Sequence, residues 1–339
     1  MDILLYTIVF LLLLVVSNVT NRLLPQLPLP LVQIVLGISL GFLLPQGKFH
    51  LDTELFLALV IGPLLFREAE ESNITSILKH WRIILYLIFP VIFISTLGLG
   101  YLAHLLWAAL PLAACIAVGA ALGPTDLVAF ASLSERFSFP KRVENILKGE
   151  GLLNDASGLV AFRVALLAWT TGSFSLGKAS ISLVLSIIGG FAVGMASAAL
   201  NRWLHKLLMS AQVSDIASEL LLELSLPLVT FFLAEEIHVS GIIAVVVAGI
   251  FKASRFKRIT LLEAQVDSVT ETIWNTVNFM LNGSVFIILG IELEMIAEPI
   301  LKSPIYDNLL LLVSIVLLTF LLFALRFVML FTFYFIRIR

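Results

Sequence analysis

Runs of about twenty apolar residues, parted by prolines, glycines and small groups of charge, follow one another along almost the whole chain. Cutting at those partings predicts eleven helices, at approximately 3 to 19, 29 to 44, 52 to 66, 83 to 107, 111 to 134, 145 to 169, 180 to 201, 216 to 234, 239 to 251, 274 to 293 and 307 to 335. A helix of about twenty apolar residues matches the ~30 Å hydrocarbon core of a bilayer, and one that is apolar all round must face lipid or other helices. The dividers are short, and AEEIHVSG between the eighth and ninth runs is only weakly polar. The expectation is an all-α polytopic membrane protein forming a single body over 1 to 339.

Composition points the same way. Of 339 residues 60% are hydrophobic and 13% charged, against about 25% charged in soluble domains. A net charge of -2 argues against a nucleic-acid partner, and the single Cys115 leaves neither a disulfide framework nor a thiolate metal cluster. His104, His205 and His238 show no ligand spacing, so no metal site and no cofactor is expected. Met1-Asp2 opens without a basic segment, so the first run is read as a retained helix rather than a signal peptide.

Positive charge is distributed unevenly. Sixteen of the 21 Lys and Arg fall after odd-numbered runs, among them Arg67, Lys79 and Arg82 after the third and Arg136, Lys141, Arg142 and Lys148 after the fifth. Only Lys48, Lys178 and Lys302 follow even-numbered runs. The positive-inside rule then makes the odd loops cytoplasmic, with the N-terminus outside and the last residues of the chain inside. Trp81, Trp107, Trp169 and Trp203 fall near run ends, as interfacial belt residues do.

Against this apolar background two acidic residues sit mid-run: Asp126 in ALGPTDLVAFASL and Asp155 in GEGLLNDASGLVAF. A carboxylate at mid-bilayer depth costs several kcal/mol, on the order of 3, unless a cation, water or a partner compensates it. Gly123-Pro124 interrupts the fifth run just before Thr125-Asp126. Proline removes a backbone donor there, and an unwound segment would free carbonyls suited to a cation. In the sixth run Glu150 and Asn154 are four apart and share a helix face, whereas Asp155 points roughly 140° away from Glu150. Small residues from Gly149 to Ala161 keep that helix slim enough for close packing.

The segments GPTDLVAF, EGLLNDASGLVAF, PLLF followed by Arg67-Glu68, LAEEIHVSGIIAVVVAGI, LNGSVFIILGIEL, and Arg326 in the last run together resemble the monovalent cation:proton antiporter family that includes the sodium/proton exchangers. The resemblance covers almost the whole chain and implies an inverted-repeat antiporter fold with a broken helix at Gly123-Pro124. It implies that Asp126 and Asp155 bind the cation or proton, that the Thr125 main chain adds an oxygen, and that Asn154 holds the broken segment. Glu150 would pair with Arg326, a structural ion pair, and Glu68 would sit in a cytoplasmic funnel, although Glu70 and Glu71 beside it fit a solvated cluster equally. Residues 83–169 with 307–335 would form an ion-binding core, and 1–66 with 180–293 a scaffold and dimerisation part. The implied function is electroneutral exchange of Na⁺, or Li⁺ or K⁺, for H⁺ across the plasma membrane by a homodimer, with these ions its only ligands and no catalytic residue.

Two departures accompany the resemblance. Gly151 stands where some relatives carry a serine hydroxyl, and relatives continue for at least two more spans, so the chain is expected to lack the last two helices. A truncated, non-transporting relative is therefore one alternative. An intramembrane aspartyl protease is another, since it too pairs two membrane Asp residues, but GPTD and LLND are not its Gly-x-Gly-Asp pattern. Arg163 reads as a snorkelling side chain, and Glu219 and Glu223 as interfacial.

Overall fold

The computed structural model describes residues 2–43, 52–72, 79, 81–125, 140–171, 176–211, 213, 215–253, 261–302 and 308–338. Among these all regular structure is helical. The order is α1 (Asp2–Leu23), α2 (Leu29–Leu43), α3 (Thr53–Phe56), α4 (Gly62–Glu71), α5 (Trp81–Tyr86), α6 (Ile92–Leu106), α7 (Leu112–Leu122), α8 (Lys141–Thr171), α9 (Leu176–Ser210), α10 (Ile216–Glu236), α11 (Gly241–Ala253), α12 (Leu261–Lys302) and α13 (Asn308–Ile338). One π-helical turn, Leu57–Ile61, joins α3 to α4, and a second, Leu87–Val91, joins α5 to α6. The second contains Pro90, whose missing N–H and ring cannot fit an unbroken α-helical ladder, so the widened turn absorbs it.

Helix ends follow local chemistry. Asp52 caps α3 by accepting hydrogen bonds from the Glu54 and Leu55 amides at 3.0 and 3.1 Å, and Asp215 caps α10 by accepting from the Ser218 amide at 2.9 Å. Where the expected run at 274 to 293 stops at charged residues, α12 continues over Leu261–Lys302. Its flanks, LLEAQVDSVTET and EMIAEP, hold no glycine and mix strong helix formers with weaker ones, with Pro299 close to the C-terminal end, so polarity ends the apolar run without ending the helix. Among the described residues α9 (Leu185–Ser210), α10 and α13 (Asn308–Thr332) contain stretches long and apolar enough to cross a membrane, alongside several shorter apolar helices.

The chain divides into two compact units. The first gathers the described residues up to 71 and from 186 to 302. In it α2 packs along α12, with a small apolar core of Leu14, Ile287 and Ile291, and α11 lies between α4 and α10. Charged side chains join α4, α10, α11 and α12: Lys252 Nζ stands 3.0 Å from Glu70 and 2.5 Å from Glu223, Arg67 Nη1 lies 3.0 Å from Glu70, and the indole of fully buried Trp274 donates to Glu223 at 3.3 Å. His205 on α9 pairs with buried Glu219. Glu219 and Glu223, read from the sequence as interfacial, are thus tied to neighbouring helices.

The second unit gathers residues 72–125, 140–185 and 308–338 of those described. Here α6 and α7 touch backbone to backbone: a Cβ on Gly119 would lie 2.2 Å from the Thr96 carbonyl oxygen, so only glycine fits that crossing. Leu99, Ala103 and Cys115 close the contact with Leu318 from α13. Ile84, Ile88 and Ile92, spaced by one turn each, form a ridge through the π turn that receives Ile146 of α8.

Candidate functional site

The helix α7 is built of small residues, LAACIAVGAAL, and stops where Pro124 has no N–H to return to the ladder. Gly123, Pro124 and Thr125 follow as non-helical chain. Crossing them is α8, on which Glu150, Asn154 and Gly158 recur every four residues along one buried stripe. Gly158 sets the approach, because a Cβ there would fall 2.2 Å from the Pro124 ring. The crossing therefore carries the side chains one and two turns earlier on α8 to the broken end of α7.

Asn154 is fully buried and donates from Nδ2 to Thr125 Oγ1 at 3.0 Å, while the Thr125 hydroxyl in turn approaches Glu150 Oε1 at 3.4 Å. Arg326 reaches in from α13. Its Nη2 donates to the Gly123 carbonyl at 2.6 Å, and its Nη1 lies 3.7 Å from Glu150 Oε1. Glu150 is 3% exposed, so its carboxyl group faces that guanidinium rather than bulk water. The Gly123 carbonyl is one of the acceptors that a helix end leaves without a partner, and the guanidinium satisfies it. Carbonyl, carboxylate, hydroxyl and amide thus converge at one interrupted helix, a donor set of hard oxygens.

Of the residues singled out from the sequence, Thr125, Glu150, Asn154 and Arg326 come together here. Asp126 lies outside the described residues, as does the side chain of Asp155, whose backbone continues α8 directly after Asn154. Each is the chain neighbour of a partner in the Thr125–Asn154 hydrogen bond. Glu68 is half-buried on α4 in the first unit. Arg163 is exposed on α8. The sequence reading passed over Ser95 and Thr96 on α6, both buried. Two adjacent hydroxyls in the middle of the run VIFISTLGLG were the available signal.

Comparison with known proteins follows the same lines. The sodium/hydrogen exchanger, transmembrane, family matches residues 7–338. The chain is 39% identical over 328 residues to a sodium, potassium, lithium and rubidium/H⁺ antiporter of Bacillus subtilis (strain 168), a match covering 96% of this chain and 49% of that protein. It is 34% identical over 298 residues to the uncharacterized Na⁺/H⁺ exchanger YjcE of Escherichia coli (strain K12), covering 86% of this chain and 53% of the relative. The chain thus spans about half the length of these relatives. Its fold is similar to that of the sodium proton antiporter MjNhaP1 from Methanocaldococcus jannaschii, with TM-score 0.68 at 18% identity over 94% of this chain and 77% of that one.

Proposed function

The chain belongs to the sodium/hydrogen exchanger family, and on that footing we propose that it works as a secondary antiporter exchanging Na⁺, with Li⁺ and K⁺ as congeners, for H⁺. On this reading the protein moves ions and turns over no covalent substrate. We read the fold as eleven crossings arranged as an inverted repeat, with the interruption at Gly123-Pro124 as one of its broken helices. Residues 83–169 with 307–335 then make the ion-binding core, and 1–66 with 180–293 a scaffold through which two copies dimerise. The plasma membrane is the proposed location, with the N-terminus outside and Arg339 on the cytoplasmic side.

The observation that carries this reading is the hydrogen bond between Thr125 and Asn154, which ties together the two chain positions that precede Asp126 and Asp155. Two carboxylates at one interrupted helix hold either a proton or a small cation: low dielectric favours the protonated form and a bound cation the ionised one. The pair titrates as a unit, so proton and cation compete for a single site. The freed main chain at Thr125 adds an oxygen, Asn154 fixes the break, and Glu150 with Arg326 braces it. Glu68 serves as an acidic residue on the cytoplasmic approach.

Reconstitution into vesicles with an internal pH dye tests the proposal. An imposed Na⁺ gradient is expected to drive proton flux in the parent protein and none in Asp155→Asn, with helix content and thermal unfolding little changed. A parent without exchange, or Asp155→Asn exchanging at the parent rate, overturns the assignment.

A further inference from the structure

Within the second unit four buried polar atoms have no hydrogen-bond partner among the described residues: Ser95 Oγ, Thr96 Oγ1, Asn154 Oδ1 and Arg326 Nε. Many helical hydroxyls in this protein return to the carbonyl one turn back, as Ser39, Ser314 and Thr319 do at 2.7 to 2.8 Å, although Thr230 and Thr270 of the first unit have no such partner among the described residues. Ser95 and Thr96, 0% and 5% exposed, have none either.

Three of the four atoms, those of Thr96, Asn154 and Arg326, belong to residues at the interruption of α7. Thr96 Oγ1 is 3.4 Å from the position a Cβ on Gly123 would take, and it is the Gly123 carbonyl that receives Arg326. Asn154 and Arg326 are members of the cluster already described. Ser95 precedes Gly98 by one turn, and Gly98 lies against Leu325, the neighbour of Arg326. Two contacts inside this cluster are also long for charged groups. The Arg326–Glu150 distance of 3.7 Å and the Thr125–Glu150 distance of 3.4 Å exceed the ~2.7 to 2.9 Å typical of a charge-assisted hydrogen bond.

The chemistry of the orphaned atoms selects their ligand. Asn154 Oδ1 accepts only, Arg326 Nε–H donates only, and the two hydroxyls do either. A bare cation would take the oxygens and leave the Nε–H unpaired beside a positive charge. A water molecule uses both kinds of group, typically ~3 at once when buried, and bridges polar pairs that stand about 3.5 Å or more apart. We therefore propose that Thr96 is a positioning residue of the exchange site: with Asn154 and Arg326 it holds bound water against Glu150 and the broken end of α7. This water gives the passing cation exchangeable oxygen ligands and gives the proton a path to the carboxylates. The inference rests on the antiporter reading for its functional part, and on geometry alone for its hydration part.

Thr96→Val and Thr96→Ser, made in the whole protein, separate the outcomes. Valine keeps the shape and removes the hydroxyl; serine keeps the hydroxyl. If water is held here, Thr96→Val lowers the Tm in detergent and raises the KM for Na⁺ in proteoliposomes about fivefold, the loss of one hydrogen bond, while Thr96→Ser restores both. A higher Tm for Thr96→Val shows a dry hydroxyl and overturns the proposal, as do unchanged values of both. A lower Tm with an unchanged KM in an exchanging parent leaves only a structural role and overturns the positioning claim. Should the parent fail to exchange at all, the functional reading falls by itself and the Tm pair decides the hydration. If Thr96→Val does not accumulate, Thr96→Ala takes the same two measurements with the same criteria.

Discussion

Arg326 holds two unlike partners with one guanidinium, the carbonyl of Gly123 and the carboxylate of Glu150. Lysine cannot replace it, because a single ammonium lacks the planar fork that serves both at once. Removing the guanidinium strands a carboxylate that is 3% exposed. Arg326→Met is therefore expected to destabilise by about 3 to 5 kcal/mol, and Glu150→Gln by less, since the surviving guanidinium is 19% exposed and keeps its carbonyl. The double variant should recover a good part of the loss, and chemical unfolding of all three in detergent closes the cycle. A different carboxylate makes a pH prediction. Asp215, exposed at the start of α10, is held below the usual carboxylate range by its hydrogen bonds from Ser218. Its folded pKa is depressed, so its contribution is present above the unfolded value of ~3.9 and is lost as pH falls through the folded one. The Tm difference between the parent and Asp215→Ala should then be seen in full at pH 7 and shrink as the pH falls below the unfolded value and through the folded one.

The turn between α10 and α11 shows why the weakest divider in the sequence is nonetheless a firm boundary. His238 has φ 58°, its amide donates to the Glu235 carbonyl at 2.9 Å, and the Val239 amide donates to Ala234 at 2.9 Å. That is the paired closure of a helix C-terminus, with a left-handed residue at the position glycine usually takes. Because histidine stands there, AEEIHVSG lacks the glycine signal that would have marked the stop. His238→Gly is expected to relieve the left-handed backbone and stabilise by up to about 1 kcal/mol, measured by thermal unfolding, the gain being offset in part by the freer unfolded chain. Other element boundaries were visible from residue types alone: Pro111 before α7 and Gly123-Pro124 after it bound a helix by the chemistry of proline. The length of α12 was not, because a charge cluster ends an apolar run but not the helix.

At the scale of the whole molecule, the helical class was legible because apolar runs of bilayer length leave the backbone few ways to satisfy itself. Thr125, Glu150 and Asn154 were legible as candidates from their motifs and Arg326 through the family resemblance, and the structure brings the four together at one interruption. Glu219, Glu223 and Trp274 were not, since a polar residue near a run end looks alike whether it meets water or a partner on a helix far away in sequence, and the adjacent Ser95 and Thr96 in mid-run were a signal passed over. The same placement bears on the charge moved per cycle. Asn154 is neutral and spends its amide on Thr125, where a carboxylate could carry an additional proton on the return leg. Glu150 is engaged by Arg326 and by Thr125, so releasing its charge would strand the guanidinium. On the antiporter reading this leaves the coupled pair Asp126 and Asp155 as the proton and cation carriers, and a pair serving one cation at a time returns with one proton. The expected exchange is one H⁺ per Na⁺, with no net charge crossing the membrane, and an imposed potential then has nothing to act on. In vesicles whose potential is clamped by an ion the protein does not carry, the Na⁺ gradient at which proton flux reverses should equal the proton gradient at every voltage. A reversal point that moves with the clamp would show a second proton per cycle and return Glu150 or Glu68 as its carrier.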